Sequence, residues 1–462
     1  MPPLTHAERA DLGHRARKLL ARSAHAKFDL SACPKESLKV LFAAEKGRVA
    51  SLLSLKHERM AASPFGFFRG AVPIMAADLA VHPNTGITTQ LCGDAHVLNL
   101  GAYASFDDRI VFDINDFDEA IRGPFEWDVK RLATSLILAG REAGIKRPAR
   151  QAAVGTFLAQ YRKSMRTFAA MPVLELARHQ IHRLPQLQPI GSILRTAERS
   201  TPLKSLLKLT EAEVAAKKKP SVPKALAANS APAAPVIEEP RLFRNEPPLL
   251  TRVTGKDAER VLSSLIPYER TLQPERRHFL AQYVPVDVAF KVVGTGSVGL
   301  RDYCVYFEGL SRAKGTDPLF LQIKEETHSA YASYLPDGET HTHQGHRVVD
   351  GQRAMQLTSD PFLGYTTIEG RDYLVRQLND HKASLDLTTL TAAGLEGYAD
   401  LCGELFARGH ARAGDPVAIS AYLGKSTSFD KAILAFAHAY ADKTEHDHDL
   451  LVKWMKRPGK KA

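Results

Sequence analysis

The chain has 462 residues, of which 44% are hydrophobic and 24% are charged, a composition typical of globular proteins. This composition excludes wholesale disorder, collagen-like repeats and a disulfide scaffold, and the length predicts about two or three structural units. The net charge of +11 favours an anionic partner, such as a nucleotide, a phosphorylated metabolite, nucleic acid or acidic lipid.

The cysteine and apolar patterns bear on the compartment. Four cysteines lie far apart and form no C-x-x-C pair, so we expect reduced thiols and neither disulfides nor a zinc site. No segment reaches the roughly 18–20 continuous apolar residues that a membrane span needs. The amino-terminal residues are polar and lack the apolar core of a secretory signal. These features predict a cytoplasmic protein without a membrane span.

Residues 1–200 are predicted to be mostly helical, with short strands between the helices. Strands are expected at 87–91 and at Ile110–Ile114, where β-branched and aromatic residues concentrate. A helix is predicted from Trp127 to about Gly144, because apolar residues recur there at helical spacing. The intervening stretch 64–75 is apolar and interrupted by Gly and Pro.

The composition changes in the second half of the chain. Residues 213–242 are rich in Lys, Pro and Ala and are predicted to form a flexible linker whose charges are solvated. Strand-like runs separated by turn residues fill 284–380, with a helix predicted at about 346–358. Helices are predicted again over 385–462.

The densest group of chemically competent residues follows the first two predicted strands. Asp94 and Asn99 lie on a loop after one strand, and Asp116 follows the other strand. Phosphoryl transfer needs such a set, because one carboxylate accepts the proton of the attacking hydroxyl while an Asn and a second Asp hold magnesium. Asp128 opens the following helix, where an acidic side chain is favoured and can accept N–H bonds from a neighbouring loop.

A second group combines a glycine-rich turn with a strand lysine. A lone G-x-G-x-x-G is a weak signal, and a dinucleotide site would need a helix directly after it. Here a strand-like run follows, which favours a strand–turn–strand lid over ATP phosphates. Lys324 ends an apolar strand, where pairing with the α- and β-phosphates explains a buried ammonium group. The turn contributes Gly294, Gly296, Ser297 and Gly299.

The segment G-D-A-H-V-L-N, the strand ending in D-F-D and the W-D pair resemble the catalytic segment of aminoglycoside phosphotransferases and choline kinases. The resemblance implies that Asp94 is the catalytic base and that Asn99 and Asp116 are magnesium ligands. Asp118 is expected to assist at the metal, and His96 and Asp128 to brace the loop. The implied cofactors are ATP and Mg²⁺, and the implied partners are a nucleotide and a hydroxyl-bearing acceptor. Nucleic acid is not expected as a partner.

The order of the two groups is reversed relative to kinases, in which the glycine loop and lysine come first. We therefore predict an α+β fold, protein-kinase-like with two lobes, that is circularly permuted. Residues 1–200 would form a helical lobe with the catalytic and metal-binding loops, 284–380 the β-rich nucleotide-covering lobe, and 385–462 helices that complete the helical lobe. This order and several sequence motifs, among them S-P-F-G-F-F-R-G and L-Q-I-K-E-E, closely resemble those of a bacterial family catalogued as domain of unknown function 2252.

Several alternatives stay open at this level. His410 to Asp415 offers a rival catalytic loop in the ordinary kinase order, although no Asn follows at the required spacing. Arg69 is interpreted as a buried ion-pair partner, with a phosphate contact as the alternative. The helix after Lys324 has no Glu, so Asp350, Gln352 or Glu326 would have to pair with the lysine.

Three other activities are compatible with parts of the pattern. The acidic cluster with His96 also suggests a two-metal phosphoesterase, but this leaves the glycine loop unexplained. A non-catalytic nucleotide sensor would need no Asp94. Transfer of AMP, not of phosphate, is possible on the same fold. The leading prediction is an ATP- and magnesium-dependent phosphotransferase that acts on a hydroxyl group, preferably of a small molecule.

Overall fold

The computed structural model describes residues 3–105, 109–180, 189–199, 202–212, 241–310, 317–336, 338, 340–378 and 383–457. The predicted linker at 213–242 lies outside these residues, except for its last two, which begin a strand. The fold is mixed α+β.

The helices are α1 His6–Leu19, α2 Ser37–Ala43, α3 Leu53–Ala61, α4 Pro64–Gly70, α5 Val72–Ala80, α6 Glu126–Glu142, α7 Arg147–Ala170, α8 Val173–Arg178, α9 Ile190–Glu198, α10 Pro202–Leu209, α11 Gly255–Ser263, α12 Leu265–Glu269, α13 Pro274–Leu280, α14 Gln344–Met355, α15 Ala392–Ala413, α16 Pro416–Leu423 and α17 Ser428–Met455. The strands are β1 Thr88–Leu91, β2 Leu100–Ala104, β3 Ile110–Ile114, β4 Ile121–Pro124, β5 Thr210–Ala212, β6 Arg241–Phe243, β7 Leu250–Val253, β8 Tyr283–Lys291, β9 Asp302–Gly309, β10 Pro318–Glu325, β11 Gly364–Ile368, β12 Arg371–Gln377 and β13 Ala383–Ser384.

An antiparallel sheet of six strands dominates the second half of the chain, in the order β11-β12-β10-β9-β8-β7. Alternate residues of its central strand face opposite sides, because side chains alternate along a strand. Leu321 and Ile323 join a core with residues of α11 to α13, whereas Phe320 joins a core with residues of α10. Lys324 shares the parity of Phe320 and therefore lies on the α10 side of the sheet.

The largest core joins the first third of the chain to its carboxyl-terminal helices. Helix α7 packs on α15 and α16, and α17 packs on α6. Two small antiparallel sheets, β1-β4 and β13-β2-β3, lie beside these helices. The loops that follow β1 and β3 carry the predicted catalytic and metal-binding residues.

The apolar stretch near residue 64 folds into two short helices. Ser63 caps α4, its Oγ accepting a hydrogen bond from the Gly66 N–H at 3.0 Å, and Pro64 takes the first helical position, where its missing N–H has no cost. Phe65, Phe67 and Phe68 are buried. Burial of these rings fixes the position of the arginine that follows them.

All four cysteines are buried and free, as the sequence predicted for the thiols. Among the residues that the structure describes, no helix combines the length and the apolar character needed to cross a bilayer.

Candidate functional site

A cleft of about 670 Å³ lies between the six-stranded sheet and the loops after β1 and β3. Both predicted groups of residues line this cleft, although roughly 200 residues of chain separate them. Gly299 and Asp128 are not part of its wall. The sequence-predicted residues that line it are Arg69, Asp94, His96, Asn99, Asp116, Asp118, Gly294, Gly296, Ser297 and Lys324.

Asp128 holds the loop after β1 in place. Its carboxylate accepts hydrogen bonds from the N–H groups of Cys92 at 2.9 Å and Gly93 at 3.0 Å. Gly93 has a positive φ of 81°, and a Cβ there would overlap the Glu119 carbonyl, so the turn requires glycine. His410 Nε2 lies 3.3 Å from Asp128 Oδ2. The loop therefore leaves β1 in a defined direction.

Asp94 is oriented by a buried arginine that the sequence analysis did not identify. Arg131 donates to Asp94 Oδ1 from Nε at 2.9 Å and from Nη2 at 2.6 Å, and its Nη2 also donates to the Phe68 carbonyl at 3.0 Å. Asp94 Oδ2 lies 3.5 Å from His96 Nε2. One oxygen of the carboxylate is thus committed to Arg131, and the other is directed toward the imidazole.

His96 is a neutral positioning group. Burial lowers the pKa of its imidazole to about 4, and the charges of Asp94, Arg69 and Arg131 have smaller effects. His96 Nδ1 accepts a hydrogen bond from the Leu98 N–H at 3.2 Å. The single proton of the neutral ring therefore resides on Nε2, which faces Asp94.

The side-chain amide of Asn99 is fixed by two backbone carbonyls. Its Nδ2 donates to the oxygen of Asp94 at 2.9 Å and to that of Asp116 at 3.0 Å. Its buried Oδ1 has no hydrogen-bond partner among the described residues. An oriented oxygen of this kind suits a hard cation such as Mg²⁺, which prefers oxygen ligands.

Asp118 offers a second oxygen in the same place. Its Oδ2 accepts from Ser297 Oγ at 3.0 Å and pairs with Lys324, while its buried Oδ1 has no hydrogen-bond partner within the described ranges. Burial raises the pKa of Asp118, and the charge of Asp116 adds to this effect. Two adjacent carboxylates that share one cation favour a further cation between them.

The described residues contain no group of three or more His, Cys, Asp or Glu side chains arranged to hold a metal ion. This finding still allows the magnesium ligands predicted here, because Mg²⁺ usually binds through one or two carboxylates, waters and substrate phosphates.

Two histidines outside the cleft have local contacts. His343 caps α14 by accepting from the His346 N–H at 3.2 Å, and His448 lies 2.9 Å from the Ala61 carbonyl. Both serve local structure.

Lys324 pairs with two carboxylates of the loop after β3. Its buried Nζ contacts Asp118 Oδ2 and lies 3.7 Å from Asp116 Oδ1. Burial alone lowers the pKa of Lys324, but the charges of Asp116, Asp118 and Glu326 outweigh it and raise the pKa above its usual value. Of the three partners considered, Glu326 thus acts on the lysine electrostatically. The substitutes considered on α14 do not take part, because Asp350 pairs with His341 and His346, and Gln352 bonds Gln356.

Helix α14, which has no glutamate, contributes an arginine that binds main-chain carbonyls. Arg347 donates to the carbonyls of Ala120, Asp118 and Thr327. On β12, Arg376 donates to Gln322 Oε1 at 2.9 Å and to the Asn115 carbonyl at 3.1 Å. The two arginines tie α14 and the sheet to the loop after β3 through main-chain carbonyls.

The glycine-rich loop connects β8 and β9 and is bound from outside the sheet. Arg48 Nη1 donates to the carbonyls of Gly296 at 2.8 Å and Val298 at 2.6 Å, and the Val49 N–H donates to Gly299 at 2.7 Å. The φ angles of Gly294 and Gly299 are 64° and 91°, which disfavour other residues. Residues 48 and 49 thus close the loop over the cleft.

The rival catalytic loop has a structural role. Asp415 caps α16 by accepting from the N–H groups of Val417 and Ala418, both at 3.0 Å, and it forms an ion pair with Arg9 at 2.9 Å. It does not line the cleft. The alternative in which Asp415 acts as the base is therefore wrong.

The sequence analysis missed Arg131 and Arg48 for different reasons. Arg131 lies three residues after Asp128 on α6, so both face the same side of the helix, and this spacing was an available signal. Arg48 belongs to a segment remote from the glycine loop in sequence, and no local pattern marks the contact.

A buried carboxyl next to Lys324 predicts a pH effect on stability. Asp302 pairs in register with Lys324, and burial raises the pKa of Asp302 to about 7, against the opposing charge of Lys324. An unfolded Asp titrates near pH 3.9, so the folded state binds this proton more tightly. The associated stability is present below about pH 4 and is lost as the pH rises to about 7.

Asp302→Asn is expected to remove this loss, which is on the order of a few kcal/mol. Urea unfolding of the wild type and the variant at pH 5 and pH 8 measures it. Asp257→Asn, at an exposed position on α11, serves as the control. Equal pH slopes for wild type and Asp302→Asn would contradict the prediction.

These observations define a mixed α+β protein with a polar cleft in which carboxylates, a lysine and a glycine-rich loop meet. The chain belongs to the family DUF2252, described as "Uncharacterized protein conserved in bacteria", whose family model matches residues 48–454. The predicted membership of this family is confirmed. No curated protein and no solved structure matches the chain.

Proposed function

We propose that this protein is an ATP- and magnesium-dependent phosphotransferase that acts on a hydroxyl group, with a circularly permuted protein-kinase-like fold. One observation carries the proposal: Asp94, Asn99, Asp116 and Asp118 line the same cleft as the glycine-rich loop and Lys324. Phosphoryl transfer requires these groups around a single triphosphate, because its catalysis consists mainly of positioning and charge stabilisation.

The reaction assigns a separate task to each group. The acceptor hydroxyl gives its proton to Asp94 Oδ2, and its oxygen forms a bond to the γ-phosphorus as the bond from that phosphorus to the ADP oxygen breaks. Arg131 holds the other oxygen of Asp94, so the basic oxygen keeps its direction. Lys324 binds the α- and β-phosphates.

Asn99 Oδ1 and Asp118 Oδ1 are the oriented oxygens best suited to hold magnesium, together with the carboxylate of Asp116. Magnesium, when bound, neutralises the charge of the β- and γ-phosphates. The acceptor is proposed to be a small molecule, since the motif resembles the aminoglycoside and choline branch of the kinase-like fold.

The other two activities have weaker support. A two-metal phosphoesterase needs several imidazole and carboxylate ligands on each metal, and within the described residues no such cluster is formed. A non-catalytic sensor does not explain an Asp94 carboxylate whose direction is fixed by Arg131.

A thermal-shift measurement with nucleotides tests the proposal. ATP at about 100 times its dissociation constant adds roughly 2.7 kcal/mol to the stability and should raise the melting midpoint by several degrees. The rise in the melting midpoint should depend on magnesium, because Asn99 and Asp118 would hold the metal that neutralises the phosphates. The absence of any shift with ATP, GTP or non-hydrolysable analogues, with magnesium or manganese, would overturn the proposal.

A further inference from the structure

Arg69 is a half-buried cation in the cleft that the reaction above does not use. It lies in the last turn of α4 and lines the cleft, as Asp94 does. Its Nε is buried without a hydrogen-bond partner, and within the described ranges its guanidinium forms neither a hydrogen bond nor an ion pair. The interpretation of Arg69 as a buried ion-pair partner is therefore wrong.

Asp94 and Asp116, the two carboxylates that act most strongly on Arg69, already have a cation. Asp94 is bound through two N–H groups by Arg131, and Asp116 lies 3.7 Å from Lys324. The buried Nε of a half-buried guanidinium without a partner is costly, because it loses its hydration without replacement. The energetic balance of the cleft therefore lacks an anion next to Arg69.

The position of Arg69 identifies which anion would fit. Its carbonyl oxygen lies against the glycine-rich loop, 3.3 Å from where a Cβ of Gly296 would stand. Asp94, the proposed base, lines the same cleft and is the carboxylate that acts most strongly on the guanidinium. The group bound between the glycine-rich loop and the base of a phosphotransferase is the phosphoryl group in transfer.

We propose that Arg69 binds the transferred γ-phosphoryl group, an inference that rests on the proposed function. The guanidinium donates N–H bonds to the phosphoryl oxygens while the bond to the acceptor oxygen forms and the bond to ADP breaks. A planar guanidinium matches two oxygens of a phosphate at once. Arg69 would thus be a cation, supplied by the same chain, that stabilises the negative charge on the phosphoryl group during its transfer.

The test compares two nucleotides that differ by the γ-phosphate. Isothermal titration with magnesium measures the affinity of Arg69→Gln for ADP and for a non-hydrolysable ATP analogue. We expect the analogue to bind about 10–100-fold more weakly than it binds the wild type, as for loss of a charged hydrogen bond. The affinity for ADP should change by less than about 2-fold.

Arg122→Gln is the matched control, since the exposed guanidinium of Arg122 donates to the Ala413 carbonyl and does not line the cleft. It should leave both affinities unchanged. Arg69→Lys keeps the charge without the planar fork and should lose less affinity for the analogue than Arg69→Gln. The melting midpoint of Arg69→Gln without nucleotide should not fall, because the removed charge has no partner.

The outcomes separate the two proposals. A wild type that binds neither nucleotide overturns the phosphotransferase proposal itself. A wild type that binds both, with Arg69→Gln weakening ADP and the analogue equally, assigns Arg69 a structural role and overturns the inference alone. Unchanged affinity of Arg69→Gln for both nucleotides also overturns the inference and would indicate that Arg69 binds the acceptor.

Discussion

Asp94→Asn is expected to lower turnover by about 10²–10⁴-fold while nucleotide binding stays nearly intact, because a positioned general base contributes a factor of that size. An asparagine oxygen can still accept from Arg131, so the loop keeps its geometry. Until an acceptor is identified, slow ATP hydrolysis serves as the measured turnover. The melting midpoint, recorded alongside, checks that the variant folds.

Asp116→Asn is the comparison that distinguishes base from metal ligand. This variant should lose the magnesium dependence of nucleotide binding, whereas Asp94→Asn should keep it. Titration of ATP with and without magnesium in both variants provides the measurement. An equal loss of binding in the two variants would show that the assigned roles are wrong.

Lys324→Met is expected to destabilise the protein by about 3–5 kcal/mol and to weaken ATP binding. The substitution removes the cation between Asp116 and Asp118, and loss of one partner from a buried pair costs up to this much. Because the Asp116 carboxylate is partly exposed, solvent screens part of the penalty and places the loss at the lower end of the range. Urea unfolding at pH 7 measures the stability, and titration calorimetry measures the affinity for ATP.

Magnesium offers an internal test of the same prediction. Because Asn99 and Asp118 also present unpartnered oxygens there within the described residues, added magnesium should stabilise Lys324→Met more than it stabilises the wild type. Lys291→Met is the matched control, since Lys291 is a partly buried lysine of the same cleft on β8. Equal destabilisation by the two substitutions, or no rescue by magnesium, would contradict the assignment.

The contacts of Lys324 bear on the proposed nucleotide site. Lys324 and Ser297 both bind Asp118, and Arg48 holds the glycine-rich loop by its carbonyls. Under the proposed function, a triphosphate would compete with Asp118 for Lys324 and Ser297. Part of the free energy of phosphate binding would then be used to break the Lys324 pair.

Local sequence patterns were sufficient for much of the secondary structure and for the side-chain directions. The apolar run of β10 was recognised with Lys324 at its end, and in the structure the lysine lies on the face opposite the core formed with α11 to α13. The position of Asp128 at the start of α6 predicts its hydrogen bonds to the preceding loop, which the structure has. Such features depend on neighbours a few residues away.

The tertiary structure alone decided which distant segments meet. Lys324 reaches Asp116 and Asp118, Arg48 reaches the glycine-rich loop, and Asp415 is bound by Arg9 outside the cleft. Periodicity and motif spacing show only which side chains a single helix, strand or loop presents on its surface. The packing of whole helices and sheets determines which exposed groups share a cleft, and for Arg69 it placed a cation without a partner beside the proposed base.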